Sequence, residues 1–219
     1  MPNIPRALQF VHFAFYRIDL DWKRLPPNEK LVGRNEFLRM AESYQDIVVL
    51  PYSLVGLRGD VDFMLWRIGS ELETFQEMSS HVNSTGLGKY LLCPYSYLSM
   101  TEQNVRAGPT VSERPRYLFV LSFAKKQEWD LLPSESRQQW MDEHEKIIGR
   151  HSSVTAHHLD WSGIGEQGGM AVFGADRPQD FSVFLEEWRK SKVVSQAFQP
   201  ISLFTCIARD LDDILESLG

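Results

Sequence analysis

"VGLRGDVDFMLW" (Val55–Trp66) and "SGIGEQGGMAVF" (Ser162–Phe173) share one plan: a glycine–aliphatic step, a polar turn, then an apolar strand. Gly56 and Gly163 stand 107 positions apart, and so do "LPP" at Leu25–Pro27 and "LPS" at Leu132–Ser134. Two landmarks at one offset indicate an internal repeat, and a repeat sets the fold before any single element does.

Working outward, the first half reads as a strand in "ALQFVHFAFYRI", a helix from Pro27 to about Tyr44, and strands in "DIVVLPYSLVG" and "DVDFMLWRI" around a turn at Gly56–Gly59. An amphipathic helix follows in "SELETFQEMSSHVN", with Leu72, Phe75 and Met78 on one face, and "YSYLSMTE" closes as a strand. The second half repeats the order. "RYLFVLSFA" is a strand, Ser134 is an expected N-cap for a helix ending near Gly149, "SVTAHHLDW" and "GGMAVFGA" are strands, "QDFSVFLEEWRKS" is a helix and "ISLFTCIA" a strand. "GEQGG" at Gly165–Gly169 reads as hairpin-turn chemistry.

Each half is thus β-α-β-β-α-β, the ferredoxin-like unit. The expected fold is α+β, two such repeats forming a dimeric α+β barrel-type domain pair. The predicted division is a first repeat over 1–105, a Gly-, Pro- and charge-rich linker over 106–115, and a second repeat over 116–219.

The chain has 219 residues, 43% hydrophobic and 24% charged, with a formal net charge of -6. An acidic balance argues against nucleic acid as the main partner, since phosphate binding needs a basic footprint. Basic clusters at Arg114–Arg116 and Lys125–Lys126 read either as solvated surface or as seats for ligand carboxylates or phosphates. Cys93 and Cys206 lack CxxC spacing and read as buried free thiols of a reducing compartment. No signal-peptide pattern opens the chain and no apolar run approaches transmembrane length, so no membrane association and a cytoplasmic location are expected.

"HEKIIGRHSSVTAHHLDWSG" (His144–Gly163) holds four of the six histidines. The repeat places Phe37 opposite His144, Leu50 opposite His157 and Pro51 opposite His158, so the second copy carries imidazoles where the first is apolar or proline. Trp140, His144 and Ile147 or Ile148 fall at helical spacing, which points His144 inward, as a core histidine or a ligand. Strand alternation puts Thr155, His157 and Leu159 on one face and Val154, Ala156 and His158 on the other. His151 is expected in an exposed turn. The spacing is not HExxH and no cysteine lies nearby, so closed zinc sites are disfavoured. Haem iron needs only one inward imidazole and an apolar pocket. GxSxG, GxGxxG and P-loop motifs are lacking.

"HFAFYRIDLDW", "VGLRGDVDFMLWRI", "LGKYLLCPYSYLSMTE" and "EWDLLPSESRQQWMDEHEKIIGR" leading into "SGIG" together resemble the chlorite dismutase family, which includes coproheme decarboxylases, from about His12 to Ile207. The resemblance implies twinned ferredoxin-like halves, a homo-oligomer (commonly a pentamer), a small-molecule substrate, and haem b or coproheme in the second half. It implies that His144 is the axial ligand of the haem iron. His157, thirteen residues on, takes the distal catalytic position that is arginine in chlorite-decomposing members and glutamine in decarboxylases. Lys125, a candidate cofactor-binding residue, matches a lysine that contacts substrate propionates in decarboxylases.

Departures from the family pattern bear on activity. Decarboxylases carry Tyr-Pro-Met-Ser-Lys where this chain reads "LSFAK", so Leu121 replaces the radical-forming tyrosine, and another residue such as Tyr117 would have to substitute. The glutamate that hydrogen-bonds the axial histidine is replaced at Lys192 or its neighbour, a change expected to weaken His144 as a ligand. Three readings follow: a haem- or coproheme-binding oxidoreductase or decarboxylase, with His157 as acid–base group or sixth ligand; a haem-less scaffold or interaction protein; or a protein binding another tetrapyrrole or a metal through His144, His157 and His158.

Overall fold

A computed structural model describes residues 9–101, 114–160 and 169–219. Among the described residues, no helix is long and apolar enough to cross a membrane. The chain divides into two units, one of residues up to Arg114 together with Cys206–Gly219, the other Pro115–Thr205. The C-terminal segment therefore groups with the first unit rather than with the second repeat. Most of the linker expected over 106–115, and all of "GEQGG" except Gly169, lie outside the described residues.

The first unit runs β1 (Gln9–Ile18), α1 (Leu20–Arg24), α2 (Pro27–Ser43), β2 (Val48–Ser53), β3 (Phe63–Gly69), α3 (Leu72–Ser84) and β4 (Leu91–Thr101). Its strands lie in the order β4-β1-β3-β2, with β1 and β3 antiparallel and Ala14 opposite Leu65. That is the order of a ferredoxin-like unit. Central β3 is buried at every residue, which is why "FMLWRIG" reads as a continuous apolar run instead of an alternating one. Its helix-facing side joins Ala14, Phe63 and Leu65 to Phe37 and Met40 of α2 and to Phe75, Met78 and Val82 of α3. The second unit runs β5 (Tyr117–Lys125), α4 (Gln127–Leu131), α5 (Ser134–Arg150), β6 (Val154–Asp160), β7 (Gly169–Ala175), α6 (Pro178–Trp188) and β8 (Phe198–Ala208), in the order β8-β5-β7-β6. Within the first unit, Ile207 and Ala208 pair with Ser53 and Tyr52, and α7 (Leu211–Ser217) adds Ile214 and Leu215 to the core.

The α+β repeat architecture holds in both halves, with corrections in detail. Short helices α1, α4 and α7 were not expected, because five to seven residues carry too little periodicity to register. Ser134 is the first helical residue of α5 and Pro133 the N-cap. On α3 the buried residues are Phe75, Met78 and Val82, while Leu72 at the helix start is exposed. Both cysteines are free thiols, but only Cys206 is buried; Cys93 lies exposed on β4, an edge strand of the first unit.

The first unit also holds a polar cluster on its helix-facing side. Arg67 is 1% exposed. Its Nη1 donates to Ser79 Oγ at 3.1 Å and its Nη2 to Tyr16 Oη at 3.5 Å. His12 pairs with Arg67 across the β1–β3 ladder, and its Nε2 lies 2.8 Å from Ser96 Oγ. Burial first, then the Arg67 charge, holds His12 down to about 3.

Candidate cofactor site

His144 reaches the interior because α5 repeats its inward residues at helical spacing. His144 and Ile147 are both buried, and Trp140 packs against the same core. The imidazole has no exposed surface, and burial lowers its pKa to about 4, so it is neutral at pH 7. It lies beside Trp188, the last residue of α6, with ring centroids 5.8 Å apart. The indole Nε1–H donates to His144 Nε2 across 3.5 Å. An accepting Nε2 on a neutral imidazole places the proton on Nδ1.

Aromatic side chains surround this pair. Trp188 contacts Phe123, Phe173 and Phe184, with centroids 5.7, 5.3 and 6.0 Å away, and Phe119 stacks on Phe181 at 3.7 Å. Phe119, Leu121 and Phe123 of β5 face the helices together with Ala171 and Phe173 of β7. Leu121 is therefore a core side chain without redox chemistry, and Tyr117 is four residues away along the same strand, roughly 13 Å.

His157 is positioned differently. The β6–β7 register shifts between Ala156 and His158, so Thr155 opposes Gly174 and Ala156 opposes Phe173, whereas His158 opposes Val172. Such a bulge resets the alternation, which single-sequence reading cannot place, and His158 loses its expected register with Val154 and Ala156. Val154, Ala156 and Phe173 pack on the helix side. A Cβ on Gly174 would lie 2.5 Å from His157 Nε2 and 2.6 Å from Pro115 Cβ. The His157 ring thus covers Gly174 on the opposite side of the sheet from His144, and burial lowers its pKa. The two histidines expected to flank one cofactor are not brought together. Among the described residues, no group of three or more His, Cys, Asp and Glu side chains is arranged to hold a metal ion.

The remaining candidates have protein partners. Lys125 Nζ lies 3.0 Å from Asp130 Oδ1 and Lys126 donates to the Ser195 carbonyl. Arg114 donates to Asp210 and to the Pro51 carbonyl. Lys192 is exposed at the start of a π-helical turn, Val193–Ala197, so its ammonium does not enter the core. His151 is not an exposed turn residue: its Nε2 lies 2.7 Å from Glu187, which Arg150 also binds, and its ring stands edge-on to Phe184. Hydrogen bonds from His151 and then from Arg150 hold the Glu187 carboxyl below its ordinary range.

Chemically, His144 offers one neutral, water-shielded imidazole in an aromatic environment, a donor set that suits a haem-type group and not a multi-ligand metal centre. Trp188 is the residue that sequence reading missed. Its spacing from Phe181 and Phe184 marks it as core, but its contact with His144 depends on how α5 and α6 pack.

Comparison with known proteins bears on the same residues. The chlorite dismutase family profile matches residues 30–209. A coproheme decarboxylase from Mycolicibacterium smegmatis is 27% identical over 146 residues, covering 64% of this chain and 63% of that protein, so the match spans less than two thirds of the relative's length. Among solved structures, a mutant chlorite dismutase from Candidatus Nitrospira defluvii superposes with a TM-score of 0.84 at 24% identity, over 96% of this chain and 94% of that one. A haem-binding protein from Thermus thermophilus gives a TM-score of 0.81 at 16% identity, over the whole of both chains. At these identities the superpositions speak for the fold, and the twinned ferredoxin-like architecture agrees with them. With the family profile covering most of its length, this chain belongs to the chlorite dismutase family.

Proposed function

We propose that the second unit binds haem b or coproheme through His144 Nε2 and that the protein works as a haem-dependent oxidoreductase. The observation that carries this reading is the wholly buried His144, neutral at pH 7 and set among aromatic rings. Bound haem would supply a redox-active iron for chemistry on a small molecule such as peroxide. The chain's own contribution is to present a neutral imidazole and to exclude water with Phe123, Phe173, Phe184 and Trp188. Lys125 would take a propionate by exchanging its Asp130 partner. A tyrosine-dependent decarboxylation is disfavoured because Leu121 occupies that strand position, and chlorite decomposition because no arginine stands at position 157. The family resemblance adds a homo-oligomer, a pentamer, to this reading.

A second reading, a haem-less member that keeps the fold as a scaffold, is favoured by one contact: the Trp188 indole already engages His144 Nε2. Titration of the purified protein with ferric haem separates the two. The haem reading expects a Soret band whose position or intensity changes in His144→Ala; no uptake at neutral pH by the wild type or by variants with an altered Trp188 would overturn it.

A further inference from the structure

We infer that the first unit carries a ligand site of its own, a cavity between α2, β2 and the start of α7 that takes a small amphipathic amine: an apolar or aromatic body bearing one protonated nitrogen. The cavity measures about 610 Å³, inside the range of roughly 300–1,000 Å³ found for small-molecule sites. Its lining residues all belong to the first unit, so the inference stands independently of His144. Local pattern builds the walls. Leu38, Ala41 and Glu42 fall at i, i+3 and i+4 on one face of α2, and Val49 and Pro51 alternate onto one side of β2.

Wall and mouth differ in chemistry. Ala41, Ile47 and Pro51 are buried, and Leu38, Tyr44 and Val49 half-buried, so the wall is apolar. The carboxylates stand outside it: Glu42 is exposed, and the Asp210 and Asp212 side chains are 79% and 64% exposed. The guanidiniums lie beneath them, with the Arg114 side chain only 9% exposed and that of Arg34 20%. An incoming molecule therefore meets carboxylates first and hydrocarbon behind them.

Charge decides which ligand fits. Arg114 already donates to the Pro51 carbonyl at 3.2 Å and to Asp210 at 3.0 Å, and Arg34 holds Asp212 at 3.0 Å. An anion would have to displace Asp210 from Arg114 while Glu42 and Asp212 repel it at the same mouth. A cation needs no such exchange. Among the described residues Glu42 has no ion-pair partner, so three carboxylates face two guanidiniums and one negative charge is left at the mouth. The Tyr44 ring adds a π face for an ammonium group. A wholly polar cation leaves the apolar wall unused, and a neutral hydrocarbon leaves Glu42 unused. An amphipathic amine engages both.

The experiment titrates the full-length protein with two probes that share a skeleton and differ in charge, phenylbutylamine and phenylbutyrate. Saturation-transfer difference NMR at pH 7 and low salt gives the affinities, and far-UV circular dichroism shows that each variant is folded. Expected are a Kd of about 1 mM for the amine, the range set by a ligand of this size, and binding of the acid about ten-fold weaker or less. Glu42→Gln should weaken the amine about three-fold, as loss of one exposed ion pair does. Val49→Trp, which fills the cavity, should abolish binding. Glu42 is exposed, so Glu42→Gln stays informative if Val49→Trp folds poorly. Equal affinity for the two probes would overturn the charge argument and the proposal with it. So would amine binding indifferent to Glu42→Gln, or no amine binding at about 10 mM.

Discussion

Lowering the pH from 7 to 5 should destabilise the first unit through His12, by an amount that the fold sets. His12 is buried against Arg67 and Ser96, and burial together with the Arg67 guanidinium holds its pKa at about 3. In the unfolded chain it titrates near its ordinary value of 6.5. Between these values the unfolded state binds a proton that the native state refuses, so stability rises with pH and is lost as pH falls below 6.5. Between pH 7 and 5 this amounts to roughly 2 kcal/mol for one such group. The perturbation is His12→Gln, which removes the titration but can still bond Ser96. The assay is urea unfolding followed by circular dichroism at both pH values. Wild type should lose about 2 kcal/mol more than the variant between pH 7 and 5, with an unchanged denaturant slope. Carboxylates with lowered pKa, such as Glu187, act in the same direction but are common to both proteins and cancel. Equal losses in the two proteins would refute the burial argument.

Two further substitutions test the packing. Gly88 sits in a short 3-10 turn, and a Cβ there would lie 1.7 Å from the Val82 carbonyl oxygen. Gly88→Ala should therefore cost about 2–4 kcal/mol in chemical denaturation, while Gly59→Ala, which meets open space, should stay within about 0.5. Phe181→Ala removes a ring stacked on Phe119 and should cost about 3–5 kcal/mol by the same assay; a loss below about 1 would mean that the second core is not packed around it.

The repeat was legible because glycines and prolines mark turns wherever they fall, and the 107-residue offset needs no knowledge of contacts. His144 was legible for a related reason: helical spacing alone decides which side of α5 faces the core. The register of His158 was not. A single extra residue in β6 moves every later position by half a period, and nothing in "SVTAHHLDW" announces the bulge. The electrostatics were equally hidden, since Arg114 finds Asp210 and His151 finds Glu187 far along the chain, and even Lys125 meets Asp130 five residues on.

By itself, then, the amino-acid sequence determined the twinned α+β architecture and the inward histidine of α5, both properties of local pattern, and its resemblance to the family marked Leu121 as a departure from a tyrosine. The packing of α5 on α6 decided that Nε2 of His144 faces the Trp188 indole, and the strand register decided that His157 lies on the other side of the sheet. Both are relations between residues distant in sequence, and such distances are set by packing and pairing rather than by spacing along the chain.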